Sequence, residues 1–343
     1  MNTFEYLRAA SMQEAIKQAA SPDAQYIAGG TELLNWMRLH IVEPARLVDI
    51  GFVPDQAQIA RSGTDLFIGS LATLNDVGNH ELVASHARTL GQVCLKAASP
   101  QIRNRATLGG NVLQKTRCAY FRSEAPVPWP CNKRSPGSGC AALNGVNERH
   151  AILGWTDACV AVHPSDPLVA LACLDGRAEV IGPKGRRIIE MTGFHLSQEE
   201  ARAEHAKLAP RLHEAQVESR LAPQEVIVSY RIPIAEGERS AYVKVRERDS
   251  YEYALVSAAA ALRLVDGKID RVRIALGSVA QRPWRLTAAE KALQGATPTK
   301  QSVLPAILKA LEPARPLEHN RYKVTLAANA AARAIVLAAG ERP

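Results

Sequence analysis

Aromatic side chains are scarce in this chain: 5 Phe, 4 Trp and 8 Tyr among 343 residues. A core must therefore be built mostly from Ala, Leu and Val. Nowhere does the sequence hold the ~20 consecutive apolar residues that a membrane-spanning helix needs, which excludes a helical span. The opening stretch MNTFEYLRAASMQEA carries acidic residues early and lacks an apolar stretch of signal-peptide type. The expectation is a protein without its own signal peptide, cytoplasmic by default. A formal charge of +8 comes from scattered residues. Short basic runs such as KGRR at 184–187 and RVR at 271–273 read as solvated faces, and no recognition motif accompanies them, so no nucleic-acid partner is expected. No nucleophile–base pair stands out. The six cysteines never occur as the C-x2–4-C pairs usual for structural zinc, and without a signal peptide they argue against a disulfide framework.

What is there suggests two or three domains, since one core rarely serves so long a chain. SMQE at 11–14 has capping-box spacing ahead of a helix with Ala15, Ile16 and Ala19 on one side. QYIAGGTELLNWMRLHI reads as strand, Gly-Gly turn, then a helix capped by Thr31 with Leu33, Leu34 and Met37 inward. ARLVDI and LFIGS are strands, a helix starts at Thr73, and Leu90, Val93, Cys94 and Ala97 share a helical face. After residue 222 the style changes. EVIVSYRIP, RSAYVKVRER and YALVSAAAALRLVDGKIDRVRIALGSV are successive strands with a hairpin turn at Asp266-Gly267. SVLPAILKALE and YKVTLAANAAARAIVLAAG follow as helices. Strands then helices indicate an α+β domain over 222–343. The polar stretch between 196 and 223 reads as a surface helix or linker.

Two double-glycine segments, IAGGTELL at 27–34 and TLGGNVL at 107–113, suit close backbone approach to a ligand. Amides of Gly29, Gly30 and Thr31 at a helix start would suit a diphosphate. Neither segment matches a Rossmann or Walker A pattern, and a pair of ordinary tight turns is the alternative. Asp166, followed by Pro167 and an apolar helix, is either a plain N-cap or a carboxylate offered to ribose hydroxyls.

The irregular stretch TRCAYFRSEAPVPWPCNKRSPGSGC at 116–140 has neither helical nor strand periodicity. Cys118, Cys131, Cys140 and Cys159 are spaced C-x12-C-x8-C-x18-C. Four loop thiolates can hold a 4Fe–4S cluster or a zinc ion, and the wide spacing leans toward iron–sulfur. Metal–sulfur bonds would supply the order that secondary structure does not. The alternative is a disordered insertion with incidental cysteines. Cys94 and Cys173 read as small buried hydrophobes.

Taken in order, IAGGTELL, QIRNRATLGGN, HPSD, EVIVSYRIP, YVKVRERDSYEYALVS and VRIALGSVAQRPWR resemble the FAD-binding medium subunit of the molybdenum hydroxylases. The resemblance runs over nearly the whole chain. The cysteine segment is similar to that of three-subunit bacterial aldehyde oxidoreductases whose flavin subunit carries a 4Fe–4S cluster. The flavin subunits of 4-hydroxybenzoyl-CoA reductase and xanthine dehydrogenase are the alternatives.

The resemblance implies an α+β architecture: a two-subdomain FAD-binding domain over 1–221, with the cluster loop at about 115–160, then the C-terminal α+β domain with an antiparallel sheet and helices. It implies that Ile27, Ala28, Gly29, Gly30, Thr31, Glu32, Leu33 and Leu34 wrap the FAD diphosphate, and that Thr107, Gly110 and Asn111 form a second cradle. Asp166 would contact the cofactor's sugar or ring side, Ile227 would pack on it and Lys244 would reach a flavin or phosphate oxygen. The four cysteines would be the cluster ligands. A molybdenum-cofactor large subunit and a 2Fe–2S small subunit would complete a heterotrimer that hands electrons to an external acceptor. Periplasmic placement would then follow from co-export with a partner bearing a twin-arginine signal.

Overall fold

A computed structural model describes residues 2–340. Near the N-terminus, β1 (Glu5–Arg8), β2 (Ala24–Ile27) and β3 (Arg46–Asp49) form a parallel sheet in the order β1-β3-β2. Parallel neighbours need crossovers, and the helices Met12–Gln18 and Leu33–Arg38 supply them. Ser11 caps the first by accepting from the Glu14 N–H at 3.1 Å, while the Glu14 carboxylate accepts from the Ala10 N–H.

A second sheet combines β4 (Ile59–Ser62), β5 (Asp65–Gly69), β6 (Arg177–Gly182), β7 (Gly185–Glu190) and β8 (Val226–Pro233). Its order is β4-β5-β8-β6-β7, with every pair antiparallel. Strand β8 thus occupies the middle of the sheet of the N-terminal unit, with Leu66 opposite Ile232 and Ala178 opposite Tyr230. A C-terminal domain beginning near 222, as the change of pattern there suggests, would place β8 with the later strands. The N-terminal unit instead keeps its chain through β8, because an alternating apolar strand can complete either sheet and its partners are not written in its own residues.

The third sheet, β9 (Arg239–Val245), β10 (Val256–Val265), β11 (Lys268–Gly277) and β12 (Trp284–Arg285), is antiparallel in the order β12-β11-β10-β9. The Asp266-Gly267 turn closes the β10–β11 hairpin, as expected. Strand β10 is buried on both faces. Ala258, Ala260 and Leu262 pack with the helix Tyr322–Ala339, through its Ala327, Ala331, Ala334 and Ile335. Ala259 and Ala261 face the other way, into the core built by the helices Arg88–Lys96 and Asp166–Cys173. The run of alanines in β10 therefore lets helices lie close on both sides of one strand, and that strand joins the two units.

Candidate functional site

Strand β2 ends at Ile27 and the chain turns through Ala28, Gly29, Gly30 and Thr31 into the helix Leu33–Arg38. The turn lines a cleft of about 1930 Å³, well above the ~300–1,000 Å³ typical of a drug-sized ligand. Among the described residues, the backbone N–H groups of Gly29, Gly30, Thr31 and Glu32 donate to no protein acceptor. Four unpaired donors on a cleft wall can serve as an anion site. The helix cap is Glu32, not Thr31, and no side chain bonds the helix start. A six-residue helix adds little dipole, so the turn amides themselves provide the attraction.

The glycines answer two different needs. A Cβ on Gly29 would stand 1.9 Å from the Arg105 carbonyl oxygen, whereas Gly30 sits at φ +71°. The first turn therefore rests directly on the backbone that leads into the second glycine segment. Ile27, Ala28 and Leu33 face the cleft, but Leu34 points outward, 42% exposed. The Glu32 carboxylate accepts from Trp36 Nε1 at 2.7 Å, from Arg117 at 2.8 Å and from Arg122.

The second segment works differently from the first. Thr107 caps the helix Leu108–Val112 by accepting from the Gly110 N–H at 3.1 Å, and the Gly109 N–H donates to the Ser70 carbonyl at 2.8 Å. Those amides are spent within the protein. The donors it offers the cleft are side chains, Thr107 and Asn111, with Asn111 Oδ1 accepting from Ser165 Oγ at 2.7 Å. Ser165, not Asp166, caps the helix Asp166–Cys173, accepting from the Leu168 N–H. Asp166 is thus no plain N-cap. It is 6% exposed and accepts from Lys244 Nζ at 2.8 Å and from the Tyr242 hydroxyl. Burial and then Asp166 hold the Tyr242 phenol well above its ordinary range. Asp166 and Lys244 both reach the cleft, already paired with each other. Ile227, on β8, is buried in the core and does not line the cleft.

The cysteine segment is ordered with almost no secondary structure, the short 3-10 turn Ala141–Leu143 being its one helical element among the described residues. Arg134 straps it down, donating to the carbonyls of Phe121 at 2.8 Å, Ser123 at 2.9 Å and Leu39 at 3.1 Å. Tyr120 meets Trp129 edge to face at 5.4 Å. The disordered alternative does not hold. Cys118, Cys131, Cys140 and Cys159 all line one small cavity, together with Phe121, Lys133 and His150, and all four are free thiols. Burial pushes Cys118 up to about 12 and Cys159 up to about 11, and it raises Cys140. Among the described residues, no three His, Cys, Asp or Glu side chains are grouped to hold one metal ion. Tetrahedral zinc needs its sulfurs ~2.3 Å from a common point. Here the four cysteines share the lining of one small cavity with eleven other residues. His150 Nε2 stands 3.2 Å from Cys118 Sγ. Cys94 and Cys173 are buried in helices.

Several cleft residues carry no sequence signal. Lys133 Nζ, on a side chain 4% exposed, donates to Glu218 Oε1 at 2.8 Å and to the Ala215 carbonyl at 2.6 Å. Lys115 Nζ donates to Glu218 Oε2 at 2.6 Å. Burial alone would raise the Glu218 carboxyl, but the two lysines override it and hold it far below the carboxylate range. Lys133 and Phe121 line both the cleft and the cysteine cavity, so they are the wall between the two. Of the polar stretch 196–223, expected to be a surface helix or linker, Gln198–Leu208 is a helix, and residues 208–212 and 216–223 form a side of the cleft, as does the KGRR run. His163 and His195 lie there with ring centroids 4.2 Å apart. Burial keeps both neutral, His195 at about 4. Residues 115, 133 and 218 meet only through the tertiary fold, and no spacing rule joins them.

Residues 2–235 match the family of the FAD binding domain in molybdopterin dehydrogenase, and residues 240–338 match the CO dehydrogenase flavoprotein C-terminal domain. The chain belongs to the FAD-binding medium subunits of the molybdenum hydroxylases, a family of oxidoreductases. It is 40% identical over 331 residues to the aldehyde oxidoreductase FAD-binding subunit PaoB of Escherichia coli (strain K12), covering 95% of each chain. The structure is similar to carbon monoxide dehydrogenase from Hydrogenophaga pseudoflava, with a TM-score of 0.73 at 26% identity over 98% of this chain and 97% of that one. Quinoline 2-oxidoreductase from Pseudomonas putida 86 matches with the same TM-score, identity and coverage.

Proposed function

We propose that this chain is the flavin subunit of a molybdenum-containing aldehyde oxidoreductase that also carries a 4Fe–4S cluster. It would assemble with a molybdenum-cofactor large subunit and a 2Fe–2S small subunit, and pass their electrons to an external acceptor. The observation that carries the reading is the turn at 29–32, whose four acceptorless amides face a dinucleotide-sized cleft. Likeness to the aldehyde oxidoreductase subunit supports the choice of substrate class.

In this reading Gly29, Gly30, Thr31 and Glu32 hold the diphosphate by backbone N–H groups, an arrangement that needs no cationic side chain at the phosphates. Ile27, Ala28 and Leu33 form the apolar flank that excludes water. Thr107 and Asn111 offer side-chain donors from the neighbouring segment. Asp166 and Lys244 act as one unit, a fixed ion pair in the cleft wall oriented by Tyr242. When bound, the flavin supplies the redox chemistry, and the chain supplies position and electrostatics. Cys118, Cys131, Cys140 and Cys159 are the cluster ligands. The FAD-binding unit extends to about residue 235 and includes the cysteine segment.

An absorption spectrum of the purified complex, with iron and flavin analysis, tests the cofactors. Cys140→Ser is expected to lose iron and keep flavin. Full iron content in that variant means the ligand set is wrong. Addition of an aldehyde should bleach the flavin band of the complex. If aldehydes leave the flavin oxidised while reduced ferredoxin drives turnover, the electron flow runs the other way and the substrate class is misassigned.

A further inference from the structure

Two cavities in this protein share a wall, and that wall carries charge. Lys133 is the one formally charged side chain among the described residues lining the cysteine cavity. It is buried, its ammonium is fixed by Ala215 and Glu218, and its own carbonyl accepts from Gln216 Nε2 at 3.4 Å. On the cleft side Glu218 is held in turn by Lys115, whose ammonium lies 5.5 Å above the Trp36 ring. The order from the cysteines to the cleft is therefore cation, anion, cation. Each group is braced by a hydrogen bond, and Lys133, nearest the cysteines, is the one shut away from water.

We propose that Lys133 and its counter-charge Glu218 set the reduction potential of the centre held by the four cysteines. This inference rests on the iron–sulfur reading above. The physical ground is simple. Four thiolate ligands concentrate negative charge, and reduction adds one more electron to it. A buried cation at their edge favours the reduced form, while a carboxylate one hydrogen bond further away partly cancels that field. Electrons added by a chemical reductant such as dithionite reside on the centre, so the field acts on the potential without any bond being made or broken. Lys133 touches both cavities, so this charge also fixes how the centre's potential stands relative to whatever occupies the cleft. It is a positioning residue in the electrostatic sense and takes no part in bonding.

Opposite signs distinguish this role from a merely structural one. The assembled complex is titrated with dithionite under anaerobic conditions, with the cluster followed by electron paramagnetic resonance and the flavin by absorbance. Lys133→Met should shift the cluster potential to more negative values by at least a tenfold change in the oxidised-to-reduced ratio, 59 mV for a one-electron couple. Glu218→Gln should shift it to more positive values. Lys133→Arg, which keeps the charge, should stay near wild type. Iron and flavin content per chain should be unchanged in all three. Shifts of the same sign in Lys133→Met and Glu218→Gln, or no shift with iron retained, overturn the proposal. Loss of iron from every variant while wild type keeps it makes Lys133 a packing residue and also overturns it. Wild-type complex without iron overturns the cluster reading itself, and that is known before any variant is titrated.

Discussion

Gly29 and Gly30 look alike in sequence and differ in what a side chain would cost. At Gly29 a methyl group meets the Arg105 carbonyl, and neither backbone can yield without moving the other glycine segment. At Gly30 the nearest neighbour is the flexible end of Leu34 at 3.3 Å, and the penalty is the left-handed backbone, about 1–2 kcal/mol. Gly29→Ala should therefore reduce flavin occupancy more than Gly30→Ala, as measured by flavin-to-protein ratio and thermal melting. Asp166→Ala leaves the Lys244 ammonium buried without its anion. It should destabilise the protein by about 3–5 kcal/mol in denaturant titration and lower flavin occupancy. The glycines and Asp166 stand out in the sequence because few structural roles require those residue types in those settings, and Gly29, Gly30 and Asp166 do line the cleft. Leu34 and Ile227 do not line the cleft, and their residue type could not say so: an apolar residue looks the same whether it faces a ligand, a core or solvent.

The segments between residues 27 and 38 and between 116 and 122 are tied together by one carboxylate. Glu32 accepts from arginines on both sides of Cys118, and Arg117 in turn lies 4.5 Å from the centroid of the Tyr253 ring. Replacing Glu32 by Ala leaves Arg117 and Arg122 without that anion. Amide hydrogen exchange should rise across 116–122 by about tenfold or more, with the sheet β4–β8 unaffected. Unchanged exchange there would mean the cysteines and Arg134 order the segment alone. The helix Arg88–Lys96 is readable because one face is apolar, and the β10–β11 hairpin because a continuous apolar run meets a distinctive Asp-Gly turn. The cysteine segment gave its ligand candidates but no shape, since long-range contacts from Arg134 and Lys133 impose it. The stretch 208–225 gave neither, as polar residues on a cleft wall resemble polar residues on any surface.

Buried neutral imidazoles make the protein as a whole sensitive to acid. His195 stays neutral in the fold down to about 4, whereas its unfolded value is 6.5. His163 is depressed by burial and by His195, with Lys133 and Arg117 acting in the same sense and Glu218 against it. The unfolded chain binds these protons first, so stability is intact above about 6.5 and falls as pH is lowered toward 4. The loss at His195 is ~3 kcal/mol, readable as a falling melting temperature across that window, and the double variant His163→Gln/His195→Gln should flatten it. A fragment tests the architecture: residues 1–221 lack β8 and should fail to melt cooperatively. Strand β8 also imposes a schedule. Its partner β5 leaves the ribosome 166 residues ahead of it, counting from Leu66 to the paired Ile232. At ~5–20 residues per second, that edge waits roughly ten to thirty seconds for its neighbour. Every cysteine of the 118–159 set emerges within that interval. Nascent chains therefore carry these thiols in the open before the sheet beside them has closed.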